Sequence, residues 1–586
     1  MEIASEIDLG GRGATASRPE APHGGHPAPH RRLFRLFRAE RADIGVILVL
    51  SALNGILLLA TPLAVDALVN NIAFGGQEGV YVQALLVLSL ALLAFLAVLA
   101  IMRAAQHWVA EVIQQRLFVR VAADLAYRLP HARAAALERT LGPDLVNRFF
   151  EVVTLQKSTA LLLLEGVNLA LSTLIGLLVL GFYHPFLLAF DLVLVVLLVV
   201  IILVPARRAV QTSISESYAK HAVAGWLEQV ALFPLLFKSG GASELSCQRT
   251  DALLRDYLLA RRAHFRVLLR QIAGLLALQA GASAALLTVG GMLVLRGELT
   301  LGQLVASELI VGAIVASVAK LGKHLESWYD ALAAVDKLGY LADLPIEKEG
   351  GELPAGAAGP AGVRGERVWF AYDTARPVLQ GLSFDIEAGA RVAIVGAAGD
   401  GASTLLDLLY GLRPVREGML LVDGIDTRHW PPAALRESVA LVRGQDIVDG
   451  SIVENVRLGR ATIGLEQVRQ ALEAVGLMDA ILEFPEGLDA RLKPGGRPLS
   501  NSQRTQLVLA RAIVGRPRLL LLDETLDGLD LETVGRLERV LFDRATPWTL
   551  VLVTRDPELV ERCDQVLRMG ECHLSAPRGI NPGYRS

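Results

Sequence analysis

Cysteine is nearly missing from this chain. Three residues in 586, Cys247, Cys563 and Cys572, supply neither a disulfide framework nor the paired spacing of a zinc site, so they read as ordinary thiols in a reducing compartment. An excess of one charge is missing too. The formal net charge is −3, from 57 Lys plus Arg against 60 Asp plus Glu, which excludes a nucleic-acid binder driven by overall positive charge. The first thirty residues lack any apolar run and are rich in Gly, Pro, Ala and His. They predict a disordered tail over 1–32 with no cleaved signal peptide. His23, His26 and His30 in that tail have no fixed geometry for a metal and read as solvated side chains.

What the chain does have is hydrophobicity. Hydrophobic residues make up 53% and the mean hydropathy is +0.44, far too apolar for the roughly four soluble domains that such a length would otherwise make. Ile44 to Val65 contains no ionisable residue, and about twenty residues of helix cross the hydrocarbon core. Ala84 to Met102, Gly166 to Tyr183, Phe186 to Val204 with one acid, Asp191, Gln271 to Leu295, and Leu299 to Ala319 with one acid, Glu308, follow in the same manner, which predicts six spans.

Basic residues set the expected orientation. Arg31, Arg32, Arg35, Arg38 and Arg41 precede the first span, and the connections from Arg103 to Lys157 and from Arg207 to Arg270 are basic throughout. Those sides, and both termini, are expected to face the cytoplasm. Gln114 to Leu129 and Asp251 to Gln271 keep helical periodicity with charges interleaved, so the membrane helices should continue beyond the bilayer. Each long connection should turn once, near Ala132 to Leu141 and near Ser217 to Trp226, through a short transverse helix.

Past a Pro, Gly and Ala-rich stretch, PIEKEGGELPAGAAGPA at 345–361, the composition becomes that of a soluble α/β domain. Arg391 to Val395 reads as a buried strand, followed by the glycine loop Gly396, Ala397, Ala398, Gly399, Asp400, Gly401, Ala402, Ser403, Thr404 and then a helix. In such a loop successive N–H groups and the helix N-terminus surround phosphates, and the Ser403 hydroxyl would ligate Mg²⁺. A P-loop carries Lys before that hydroxyl, whereas position 402 is Ala. A second apolar strand, RLLLLDE, ends in Asp523 and Glu524. Adjacent carboxylates there suit a metal-water partner and a base that polarises attacking water, or alternatively a helix cap.

Taken together these motifs resemble an ABC transporter of the exporter type, a half-transporter with its membrane domain fused ahead of its nucleotide-binding domain, over about residues 35 to 575. The resemblance implies an all-α six-helix membrane domain at 33–340 and a linker at 341–361. An α/β P-loop domain with an antiparallel β subdomain and a helical subdomain would follow at 362–580. It implies ATP and Mg²⁺ as cofactors, with Tyr372 stacking on adenine, the 396–404 loop on the phosphates, and Ser403, Asp523 and Gln445 on the metal. Glu524 is the implied catalytic base, Asp530 the D-loop residue, and Ser500 and Gln503 belong to the signature LSNSQ. Gln445 is the nearest candidate for the Q-loop glutamine, with Arg443 competing for the position. Arg555 stands where the family has its switch histidine.

Three of these motifs depart from the family. A lysine about 4 Å from a phosphate contributes on the order of 4 kcal/mol at an effective dielectric near 20, so Ala402 weakens affinity or rate. Asn501 and Ser502 replace two signature glycines whose backbones approach the γ-phosphate. Arg555 stays protonated and so cannot act as a neutral switch, but it offers positive charge that would partly replace the lysine, unless it is simply an exposed arginine at a strand end.

The resemblance implies export of an unidentified, hydrophobic or amphipathic substrate across the cytoplasmic membrane by a homodimer or by a heterodimer with a second half-transporter. The alternative is a weakly hydrolysing or non-hydrolysing regulatory subunit. Membrane lipid is an expected partner and nucleic acid is not. Of the acids in or beside the spans, Glu165, Asp191 and Glu308, the last is the best candidate for a substrate contact. Asn54, Gln279 and Gln303 read as interhelical hydrogen-bonding groups.

Overall fold

The computed structural model describes residues 29–73, 78–138, 142–183, 185–348, 350–352, 359–372, 377–569 and 573–575. Most of the predicted tail, Cys572 and the side chain of Asp191 lie outside the described residues. The chain divides into two compact units, one comprising 1–130 and 140–344, the other 131–139 and 345–586.

The first unit is all helix. Among the described residues five helices are long and apolar enough to cross a membrane: Arg41–Val69, Leu85–His131, Leu145–Phe182, Pro185–Leu232 and Ala242–Leu295. The sixth expected span falls on the helix Leu301–Ala342, of which Leu301–Gly312 is an apolar stretch shorter than the other five. Helices Glu78–His131 and Ala242–Leu295 each run 54 residues, about 80 Å at 1.5 Å per residue, so they continue well past a bilayer as their charge-interleaved halves predict. Outward side chains such as Leu90, Ile101 and Phe182 are exposed, as suits a surface solvated by lipid. Inside, Gln106 binds Asn54 at 2.8 Å, Ser51 at 2.8 Å and Asn168 at 3.1 Å, tying three helices together through paired polar groups. Gln303 instead caps its own helix, exchanging hydrogen bonds with Thr300 at 2.9 and 3.1 Å. The buried Gln279 Oε1 has no hydrogen-bond partner.

One expectation needs correction. The helix Pro185–Leu232 runs unbroken through Ser217 to Trp226, and the chain turns at 233–241 around the short helix Pro234–Phe237. The local chemistry explains the placement: Pro234 starts that helix, and Gly241, at φ +80°, lets the chain re-enter the next one. The other turn lies where expected, with Ala134–Leu137 as its short helix.

That short segment belongs to the second unit. Residue Ala132 forms an antiparallel bridge with Ile346, and Arg133 N donates to Pro345 O at 2.9 Å. Glu138 forms an ion pair with Arg413.

The rest of the second unit is built on two larger sheets. Strands β1 (Val363–Ala371), β2 (Pro377–Ile386), β4 (Glu417–Val422) and β5 (Ile425–Asp426) form an antiparallel sheet in the order β2-β1-β4-β5. The other, in the order β12-β11-β3-β10-β9-β6, contains β3 (Arg391–Val395), β6 (Val439–Val442), β9 (Leu519–Asp523), β10 (Thr549–Val553), β11 (Gln565–Arg568) and β12 (His573–Ser575). It is parallel except at β12. Its inner strands are covered on both faces, so they read as unbroken apolar runs, and Leu519 to Leu522 are fully buried. Helices Ile452–Arg457, Leu465–Ala474, Met478–Leu482 and Asn501–Ile513, with the small ribbon β7 (Gly450–Ser451) and β8 (Arg491–Leu492), make the helical subdomain.

Candidate nucleotide site

The loop 396–404 leaves the carboxyl end of β3 and opens onto the helix Ala402–Leu409. This is the end of a parallel sheet at which phosphates bind, because loop amides and a helix N-terminus converge there. Gly401 is required at its place: φ is +90°, and a Cβ there would come within 2.8 Å of Val378. Gly396 to Asp400 are exposed, so most of the loop is open to a ligand. One amide is already engaged, since Ala397 N donates to the Asp400 carboxylate at 2.7 Å. That carboxylate puts negative charge where a phosphate would sit, and no lysine at 402 offsets it.

Tyr372 lies beside the loop, its hydroxyl 3.0 Å from Thr404 Oγ1. One face of its ring is covered by the Arg413 guanidinium, 4.6 Å from the centroid, yet the residue stays 51% exposed. Phe370 meets the ring in a T-shaped contact at 5.1 Å between centroids, so a flat base would stack on the part of the ring that Arg413 and Phe370 leave exposed. The segment 131–139 reaches this ring through Glu138 and Arg413.

The carboxylates at the end of β9 are occupied from within the chain. Because β6 runs beside β9 with Val442 opposite Leu522, the next residue, Arg443, lies alongside Asp523. Arg443 Nε donates to Asp523 Oδ2 at 2.5 Å, Nη1 to Asp407 Oδ1 at 2.6 Å and Nη2 to the Ser403 carbonyl at 2.9 Å. Ser403 Oγ donates to the other Asp523 oxygen at 3.0 Å. Burial disfavours the guanidinium's charge, but Asp407 and then Asp523 outweigh it and its pKa is raised. Asp407 escaped the sequence reading, although it stands four residues after Ser403 on the same helix and therefore on the same face.

Gln445 is turned elsewhere. Its amide donates to Asn501 O at 3.1 Å and Thr505 Oγ1 at 2.9 Å, on the signature helix, so Arg443 rather than Gln445 accompanies Ser403 and Asp523. The metal set read from sequence thus does not converge here, for a geometric reason: the strand register brings position 443 to Asp523 and carries position 445 past it.

Glu524, at φ +48°, anchors its N–H on Val553 O at 3.0 Å and receives Arg555 Nη2 at 3.1 Å. Asp527 holds Arg555 in place by accepting from its backbone N–H at 3.3 Å and from Thr554 Oγ1 at 2.6 Å. In the signature, Ser500 and Gln503 are spent on a reciprocal helix cap, with bonds of 2.8 and 3.3 Å. Asp530 caps the helix Leu531–Leu541 through Thr533 N at 2.8 Å and also accepts from Ser502 Oγ at 3.2 Å, contacts that lower its pKa, those from Thr533 most. Asn501 and Ser502 occupy the first turn of an α-helix, a conformation that does not need glycine.

Residues 379–527 match the model of the ABC transporter family. That segment is an ABC transporter ATPase domain, of the kind that binds ATP. The alpha-hemolysin translocation ATP-binding protein HlyB of Escherichia coli O157:H7 is 28% identical over 292 residues, 49% of this chain and 41% of that protein. The β-(1→2)glucan export ATP-binding/permease protein NdvA of Rhizobium meliloti (strain 1021) is 30% identical over 292 residues, 49% of each. The chain thus matches less than half the length of these curated relatives. The whole fold is similar to a bacterial Atm1-family ABC exporter solved with ATP bound, at a TM-score of 0.77 and 21% identity, covering 90% of this chain and 93% of that one. The likeness shows the fold, a helical domain followed by an α/β ATPase domain.

For the two groups such a domain implies, the fit differs. Adenine nucleotide fits, since Gly396 to Asp400 are exposed and half of Tyr372 is open, although the Ala397 amide is engaged by Asp400. Mg²⁺ does not fit as the side chains stand. Both Asp523 oxygens are engaged, one by a guanidinium at 2.5 Å, and magnesium demands near-octahedral oxygen ligands at about 2.0–2.1 Å.

Proposed function

We propose that this chain is a half-transporter that binds ATP and hydrolyses it slowly, pairing with a second ABC half-transporter to export a hydrophobic or amphipathic substrate across the cytoplasmic membrane. The observation that carries this reading is the double neutralisation of the acidic pair. Asp523 is held by Arg443 and Glu524 by Arg555, so the two carboxylates that metal binding and water activation would use are both tied to arginines. Ala402 removes charge that would stabilise the transferring phosphoryl group.

In a dimer of such domains each nucleotide would lie between the glycine loop of one chain and the signature of the other. A partner with its own lysine and glutamine would then build one site with this chain's LSNSQ, and this chain's loop would build the other with the partner's signature. The Glu138–Arg413–Tyr372 contacts offer a route by which the presence of a base would be felt by the segment 131–139, which continues in sequence from the helix Glu78–His131. The flanking arginines support a cytoplasmic location for both termini.

A homodimeric exporter with its own slow turnover is a second reading, favoured by the retained Glu524, Ser500 and Gln503. Purifying the full chain in lipid nanodiscs, measuring Mg-ATP turnover and identifying copurifying subunits by mass spectrometry tests both. Turnover below about 1 s⁻¹ with a second ABC chain present supports the main reading; faster turnover by this chain alone, ordinary for an enzyme, contradicts it.

A further inference from the structure

The four groups that meet at the end of β9 have a consequence for cation use. Arg443 Nε lies 2.5 Å from Asp523, its Nη1 2.6 Å from Asp407, and Ser403 donates to Asp523 at 3.0 Å. We propose that the Arg443 guanidinium takes the place of the divalent cation in this nucleotide site, so that the chain binds ATP without Mg²⁺. The inference rests on the nucleotide-binding reading above and sharpens it.

The chemistry of the donor set supports it. A magnesium ion in a phosphate site is held by a carboxylate and a hydroxyl together with the phosphates themselves. Here the carboxylate face is filled by a group whose charge is permanent, because guanidinium is not deprotonated in proteins. The fork also matches the two carboxylates geometrically: three separate nitrogens find three acceptors, Asp523, Asp407 and the Ser403 carbonyl. Arginine has five N–H donors, so two remain, and the side chain is 39% exposed.

The arrangement is built by the fold rather than by one flexible chain. Position 443 is set by the β6–β9 register, and Asp407 by its helical spacing from Ser403. Asp523 and Asp407 have side chains only 5% and 11% exposed, so neither is left to water when the guanidinium is in place. Two carboxylates against one guanidinium still leave the cluster at a formal −1, and it does not draw in a triphosphate by charge. It removes the repulsion that bare carboxylates would exert, and the loop amides, the helix N-terminus and Tyr372 hold the ligand.

The test compares ATP binding to the full-length chain in nanodiscs, by calorimetry, in Mg²⁺ and in EDTA. The expected result is that the dissociation constant differs by less than about fivefold between the two media, while Arg443→Gln, or Arg443→Gln with Asp407→Ala, binds at least about tenfold more tightly with Mg²⁺. A wild-type preference for Mg²⁺ of about fivefold or more overturns the inference and leaves the nucleotide reading standing. Equal indifference to Mg²⁺ in the variants overturns the role of Arg443. No ATP bound in either medium, by wild type or variants, overturns the nucleotide reading and this inference together. Should the variants fail to fold, the wild-type comparison alone decides.

Discussion

Replacing Arg443 by alanine should destabilise the ATPase domain by an amount that the geometry allows to be worked out. The guanidinium bridges Asp407 at 2.6 Å and Asp523 at 2.5 Å, and both carboxylates are nearly inaccessible to water. Removing one partner from a fully buried pair costs about 3–5 kcal/mol, because an uncompensated charge is left behind. Arg443 itself is 39% exposed and Ser403 Oγ still donates to Asp523, so screening and the surviving bond reduce the figure to about 2 kcal/mol. For a domain of this size that corresponds to roughly 4–8 °C in the midpoint of its transition. Scanning calorimetry of the full chain in nanodiscs, in EDTA, would show it. Adding Asp407→Asn to the alanine variant removes one of the stranded charges and should recover about half the loss, a coupling that a double-mutant cycle isolates. A shift of less than about 1 °C for Arg443→Ala, or a further loss on adding Asp407→Asn, would refute the reasoning.

Three other perturbations bear on the same account. Ala402→Lys should tighten ATP binding by at least about tenfold, with the Coulomb estimate of about 4 kcal/mol as the ceiling; unchanged affinity would show that charge does not limit this site. Arg555→Ala breaks a pair with Glu524 that is more than half exposed on the arginine side, so the thermal midpoint should hardly move. ATP affinity should nevertheless fall by about threefold or more if Arg555 supplies charge to the phosphates, and an unchanged value removes that role. In a Cys572→Ser background, maleimide at pH 8 should modify exposed Cys247 and spare Cys563, whose thiol is pushed up to about 12 by burial and then by Asp564. Rapid labelling of both under native conditions would contradict the packing of β11 against β3.

The parts of the molecule that could be read in the residues are those whose signals are local. Apolar runs of bilayer length, the strand-loop-helix around Gly396 to Thr404, and the paired acids after RLLLLDE each state their structure within about twenty residues. The turn at 233–241 is marked locally too, by Pro234 and Gly241, downstream of the expected Ser217 to Trp226, which is continuous helix. Gln303 was likewise open to reading as the third residue after the N-cap Thr300. The cluster of Arg443, Asp407 and Asp523 was not legible, since it unites residues separated by 36 and 80 positions through the β6–β9 register. Motif spacing alone left Gln445 and Arg443 in competition, and only the register separates them.

The central claim is that adenine nucleotide settles between Tyr372 and the 396–404 loop despite the missing lysine. Photolabelling of the full-length chain with 8-azido-ATP, followed by peptide mapping, tests it most directly. The account predicts label on the peptide carrying Tyr372 or on that carrying the loop, displaced by unlabelled ATP in EDTA as in Mg²⁺. Label confined to other peptides, or none that ATP displaces at millimolar concentration, would contradict it.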